Sequence, residues 1–422
     1  MFSAQRGLDY GDLYRVRVPG YDVQVVTDPS AIEQIIVRSA DHFEKSRVYW
    51  RELRRIVGDA LGSLEGERWQ YLHEVQQPFF TPRAAQRYLP VAHQLTTAHL
   101  ASLADSVGSG REVPVLRLLS ELNLRILLTV LFDAPDAAST EGFWDRITDG
   151  EATIAWRSKF PWRPTTAWLT GANQRSERHK AFFGAYADEL RQRSPRDPER
   201  ESLLDAIVRI GEDPTAPQFP DTLLRNEIIV HLGAGTETQG TAEGWILHLL
   251  WQNPEQLARL RAEVEAVAGN RLVAPEHLER LVFAKQVVRE GLRLYPPSYA
   301  LVRDCIRPTS VGGRAVPVGQ VQFISLFALH RNPRLWDDPE RFDPDRFAEG
   351  RVEKIGRFQY LPFGAGKHVC IGQHLALPGM ILAIAQFAQR FDWQFLDPQI
   401  RPIGLSTLKP SGAFTARLTR RQ

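Results

Sequence analysis

The decapeptide FGAGKHVCIG, residues 363–372, holds Cys370, one of only two cysteines in a chain of 422 residues. Gly364 and Gly366 precede the sulfur, Gly372 follows it, and residues 374–391 carry the apolar spacing of a helix. A thiolate at that place gains from backbone N–H groups and from the positive end of the helix. Both are expected to lower its pKa and make it a metal ligand. A buried structural cysteine is the competing reading. The other cysteine is Cys305. Two thiols cannot build a disulfide framework, which fits a reducing cytoplasm.

Composition bounds the remaining classes. Lys plus Arg (52) nearly balances Asp plus Glu (50), so the net charge of +2 argues neither for nor against a polyanion, and no nucleic-acid partner is expected. No Gly/Ser linker, internal repeat or low-complexity tract interrupts the chain. A single domain over 1–422 is therefore expected, although the length alone would allow two or three. The N-terminus, MFSAQRGLDYGDLYRVRV, lacks an apolar run suited to a signal peptide or a membrane span. A soluble, cytoplasmic monomer is the expectation.

Alternation over 13–18 and 22–27 around Pro19-Gly20 predicts a hairpin, and Asp28-Pro29 opens a helix. Residues 39–63 read as a long irregular stretch, with Tyr49 and Trp50 on a candidate pocket wall. A helix over 67–77 stops at Pro78 and sets Trp69 and His73 four apart on one face. Amphipathic runs follow at 84–106, 116–131, 140–156 and 174–193, implying helix packed on helix. Between the last two, 156–168 holds three tryptophans, Trp162 among them, with prolines that forbid a continuous helix.

Residues 221–252 read as one long helix interrupted by GAGTETQG, 233–240. Three glycines there cost roughly 1 kcal/mol each relative to alanine, which marks a need for room or special geometry, or else a weak spot. Leu232 precedes the interruption as a candidate pocket residue. A helix over 282–294 carries Glu290 and Arg293 three apart, in itself an ordinary surface pair. Downstream lie Ala300, Leu301 and Arg303 on a predicted strand, PERFDPDRF at 339–347, and a C-terminal turn bearing Thr407. Pro378 should kink the helix after the cysteine.

Phe363, Gly366, His368, Cys370 and Gly372 fit F-x-x-G-x-[R/H]-x-C-x-G, and the chain resembles the cytochrome P-450 family from end to end. The resemblance implies a mainly helical wedge with a small β-rich side, around haem b held by the Cys370 thiolate. It implies that Trp69, His73 and Arg303 grip the haem propionates. His73 stands where the family usually has Arg, making the charge there pH-dependent. Ala234, Gly235, Glu237 and Thr238 match [A/G]-G-x-[D/E]-T: room for a diatomic ligand, then an acid and a hydroxyl for protons. Glu290, Arg293 and Arg346 would form a buried structural triad. The implied reaction inserts one atom of O2 into an apolar substrate. Electrons from NAD(P)H would pass through a separate ferredoxin or flavodoxin, since no G-x-G-x-x-G fingerprint follows the cysteine. Arg68, Arg83, Arg87, Arg357 and Lys367 could form its docking face or a plain solvated surface. Peroxide-driven chemistry, an atypical oxidation or coupling, and a non-catalytic haem protein are the alternatives. The pair Glu237 and Thr238 argues against the first and the last.

Overall fold

The computed structural model describes residues 10–18, 20–107, 110–134, 142–143, 145–147, 149–150, 153, 171–192 and 202–421. Trp162, the aromatic connection 156–168 and most of the helix expected over 140–156 lie outside these residues.

The chain opens with the hairpin β1 (Leu13–Val18) and β2 (Tyr21–Val26), in which Leu13 pairs with Val26 and Val18 with Tyr21. Asp28 then caps α1 (Pro29–Glu33) by accepting the Ala31 N–H at 2.7 Å, and a π turn, Gln34–Arg38, extends it. The stretch expected to be irregular instead holds β3 (Phe43–Lys45) and α2 (Arg47–Val57). The helix is strongly amphipathic: it buries Ile56 and Val57 while Arg54 and Arg55 stay exposed.

Next come α3 (Gly66–Gln76), α4 (Pro82–Val107), β4 (Arg111–Pro114) and α5 (Val115–Phe132). The described residues continue with α6 (Ala172–Gln192), α7 (Leu203–Ile210), α8 (Leu223–Gln252), α9 (Pro254–Ala268) and α10 (Val282–Leu294). Asn253 precedes α9 without capping it, because its side-chain amide donates to the Leu249 carbonyl. Then follow β5 (Ala300–Cys305), β6 (Thr309–Val311), β7 (Arg314–Val316), β8 (Val321–Ser325), α11 (Leu326–Leu329) and α12 (Gln373–Arg390). Last are β9 (Phe391–Phe395), β10 (Pro402–Gly404), β11 (Leu408–Pro410) and β12 (Thr415–Arg420). The mainly helical class with a small β-rich part is as expected. α12 runs unbroken through Pro378.

Two compact units divide the chain. The first comprises Met1–Ser46, Thr96–Leu116 and Thr241–Gln422. Its largest sheet has the order β1-β2-β8-β5-β3, with β2 and β8 parallel and the other neighbours antiparallel. Ile32, Ile35, Ile36, Phe43 and Ile324 form a core beneath it, with Leu301 and Ala365 packed against that core. A second sheet, β4-β12-β9, alternates along β9: Phe391, Trp393 and Phe395 are buried, Asp392 and Gln394 exposed. The second unit, Arg47–Leu95 and Arg117–Gly240, is helical among its described residues.

Candidate active site

In the first unit the cysteine loop is fixed by its backbone. The Cys370 N–H donates to the Phe363 carbonyl at 2.9 Å, Gly364 to Leu361 at 3.0 Å, and Val369 to Gly366 at 3.1 Å. Gly366 has φ +74°, and a Cβ there would lie 2.2 Å from the Ile36 carbonyl oxygen, so glycine alone fits. Gly364, also at positive φ, lies beside Leu301, whose Cδ1 would be 3.9 Å from an added Cβ. Phe363, His368 and Gly372 are half-buried, whereas the Cys370 side chain is exposed and unbridged.

The thiol departs from the expected direction. Although the side-chain surface is open, the protein atoms crowded around the loop push the Cys370 thiol up, against the amide hydrogen bonds from Gly372 and Gln373 that draw it down. The donors foreseen from the glycines and the helix start are present, but desolvation by surrounding protein outweighs them. Cys305, by contrast, is buried and its thiol donates to the Arg307 carbonyl.

Behind this loop the triad is fully formed. Arg293 grips Glu290 in a fork, Nε to Oε2 at 2.7 Å and Nη2 to Oε1 at 2.8 Å, and Arg346 Nε lies 3.4 Å from Oε1. All three are buried, so the pair expected on a surface from spacing alone is interior. Burial pushes the Glu290 carboxyl up, against Arg293, the Asp343 amide and Arg346.

The remaining Arg293 donors reach the carbonyls of His330 (2.6 Å), Pro339 (2.8 Å) and Arg341 (3.1 Å). His330 in turn accepts the Leu361 N–H at 2.9 Å, so a chain of hydrogen bonds links the triad to the start of the cysteine loop. Its imidazole is pushed down to about 3 by burial and by Arg293 and Arg331, which keeps it a neutral acceptor. The resemblance places His330 with Arg331, Asn332, Pro333 and Trp336 in a short helix and meander and gives its ring no role of its own.

Arg303 is buried on β5, with Nη1 3.0 Å from the Val302 carbonyl. The C-terminal turn meets the strand that carries Ala300 and Leu301. Tyr299 Oη donates to Leu405 at 3.0 Å, and the Leu408 N–H to Pro297 at 2.9 Å. Thr407 itself is buried, 6% exposed, whereas Ala300 and Leu301 are half-exposed.

In the second unit, Trp69 and His73 are half-buried neighbours on α3 with ring centroids 5.0 Å apart. α8 is continuous through its glycines, and close packing against α5 accounts for two of them: a Cβ at Gly235 would lie 2.6 Å from Leu127 Cδ1, and one at Gly240 2.5 Å from Ser120 Oγ. Gly235 thus admits α5 rather than leaving space. The open side is at Gly233, which has nothing within 4 Å of an added Cβ, and at exposed Ala234. The Thr238 hydroxyl donates back to the Ala234 carbonyl, and Glu237 and Leu232 are buried. Trp50 is half-buried on α2, and Tyr49 belongs to the same helix. Arg68 is engaged by Asp59 at 2.9 Å and lies over Phe219, whereas Arg83 and Arg87, the other docking candidates of this unit, are exposed.

An exposed, unbridged thiol at a helix start, on a loop that one glycine and one triad lock in place, would suit a haem iron that takes a thiolate ligand. That defines a haem-thiolate class of protein. The family model for cytochrome P-450 matches residues 4–414. A cyclooctat-9-en-7-ol 5-monooxygenase of Streptomyces melanosporofaciens is 31% identical over 94% of this chain and 84% of its own length. Cyclooctatin synthase of the same organism is 27% identical over 95% and 85%. Pentalenene oxygenase of Streptomyces avermitilis is 26% identical over 98% and 91%.

The chain belongs to the cytochrome P-450 family. It is a haem-thiolate monooxygenase that inserts one oxygen atom from O2 into an apolar organic molecule, using haem b and electrons that reach it from NAD(P)H through a redox partner. Among the described residues no helix is long and apolar enough to cross a membrane.

Proposed function

We propose that this chain hydroxylates a cyclic terpene hydrocarbon or terpene alcohol in secondary metabolism. The carrying observation is that relatives matched over more than nine-tenths of this chain are named for cyclooctat-9-en-7-ol and pentalenene. Cys370 would ligate the iron of a bound haem and Trp69, His73 and Arg303 would hold its propionates, the cofactor supplying the oxygen activation. Phe363, Gly366, His368 and Gly372 shape the loop under the sulfur. Ala234 would keep room on the open side of the helix, the Thr238 hydroxyl, which here donates to the Ala234 carbonyl, would have to turn from it to donate to O2, and Glu237 would pass protons. Glu290, Arg293 and Arg346 hold the loop and do no chemistry.

Trp50, Ala300 and Leu301, each partly exposed, are the candidates to bound the substrate, together with Tyr49, Trp162 and Thr407, whereas Leu232, fully buried, leaves that set. The apolar members exclude water and orient a hydrocarbon skeleton by shape. A ferredoxin or flavodoxin delivers the electrons, with Arg83, Arg87, Arg357 and Lys367, all exposed, as candidate docking cations. The protein works as a cytoplasmic monomer. Residues 1–422 act as one haem domain, a reading supported by a single family model that runs through segments of both units.

The test is turnover of purified holoenzyme with a surrogate ferredoxin and reductase against a panel of cyclic terpenes, with peroxide as a parallel arm. A ligand-induced shift of the haem band and a product gaining one oxygen are expected from the reductase arm. A panel without either, alongside turnover of a different substrate class, would contradict the proposal.

A further inference from the structure

One buried polar cluster has no part in the reading above. On α8, Glu227 and His231 stand one turn apart, both buried, with His231 Nε2 3.4 Å from Glu227 Oε2 and 2.6 Å from Gln76 Oε1 on α3. Two acceptors facing one nitrogen make Nε2–H the donor. Glu227 Oε1 accepts the Leu61 N–H at 2.7 Å, which ties in the connection between α2 and α3. The imidazole stacks on Phe80, centroids 5.5 Å apart and planes 18° from parallel, so its hydrogen bonds are made in an apolar setting.

The positions on each helix decide what this joint does. Trp69, His73 and Gln76 follow at i, i+4 and i+7, within a sector of about 60° on α3. Glu227, His231, Ala234 and Thr238 share a sector of about the same width on α8. Gln76 and His231 therefore join the stripe assigned to the haem propionates to the stripe assigned to oxygen. We infer that the Gln76–His231–Glu227 cluster is a positioning device for the haem: His231 locks the rotation of α3, and through it the reach of His73. This rests on the propionate assignment of His73.

Haem transfer from the ferric holoenzyme to excess apomyoglobin tests it without turnover. Gln76→Leu and His231→Leu should each speed haem loss on the order of 10-fold, as loss of a partner behind a cofactor contact does. His231→Gln, which can still donate to Gln76, should stay within about 2-fold of the parent. His73→Ala should speed loss as well, and adding Gln76→Leu to it should bring no further increase, because Gln76 acts through His73. Equal acceleration by Gln76→Leu with and without His73, or none beside a fast His73→Ala, would overturn the inference. A His73→Ala protein that keeps its haem like the parent would overturn the propionate assignment, and this inference with it.

Discussion

Gly366 shows how one residue can be required by a partner distant in the chain. Its place before the cysteine was legible from spacing, but its physical reason, the Ile36 carbonyl 2.2 Å from where a Cβ would stand, was not. Gly366→Ala should cost about 2–4 kcal/mol in denaturant unfolding, combining left-handed backbone strain with overpacking. A loss well below about 1 kcal/mol would contradict that geometry. Gly235 teaches the converse. The sequence suggested room beside a ligand, whereas Leu127 fills the space, and a helix read alone cannot reveal which neighbour covers it. Thr238 keeps its proposed role on the open side of α8. Thr238→Ala should retain haem and raise the share of electrons lost as peroxide severalfold; unchanged coupling would remove the assignment.

At the level of elements, α5, α10 and α12 were legible because each carries a sustained apolar stripe, and α3 because Pro78 marks its end. α2 was not read as a helix although its arginines and apolar residues fall on opposite faces, Ile56 and Val57 buried and Arg54 and Arg55 exposed, because the low overall hydropathy of the stretch drew the reading instead of its period. The triad was legible only as two separated motifs. What joins it to the cysteine is a histidine whose carbonyl accepts from Arg293 and whose ring accepts from Leu361. Glu290→Gln should therefore destabilise by about 3–5 kcal/mol, since it leaves buried Arg293 and Arg346 without their countercharge. Calorimetry of the variant would show a melting temperature lowered by many degrees; a melting curve like the parent's would mean that the triad is not what holds the loop.

Across the whole molecule, buried neutral imidazoles set the acid limit of stability. His330 and His248 are pushed down to about 3 and about 4, mainly by burial, from 6.5. Below pH 6.5 the unfolded chain takes up protons that these folded imidazoles refuse, so stability falls as pH drops toward about 4. The slope reaches about 1.4 kcal/mol per pH unit for each histidine. His248 lies among Trp245, Trp251, Phe395 and Phe414, and His248→Phe should flatten the acid limb of a melting-temperature profile. An unchanged slope would assign the limb to other groups. The account as a whole rests on the sulfur of Cys370 bound to haem iron. The most direct measurement is the absorption spectrum of the reduced, carbon monoxide-treated holoenzyme beside its Cys370→Ser variant. The account predicts the red-shifted band of a thiolate-ligated haem in the parent and its loss in the variant; the same band in both, or in neither, would contradict it.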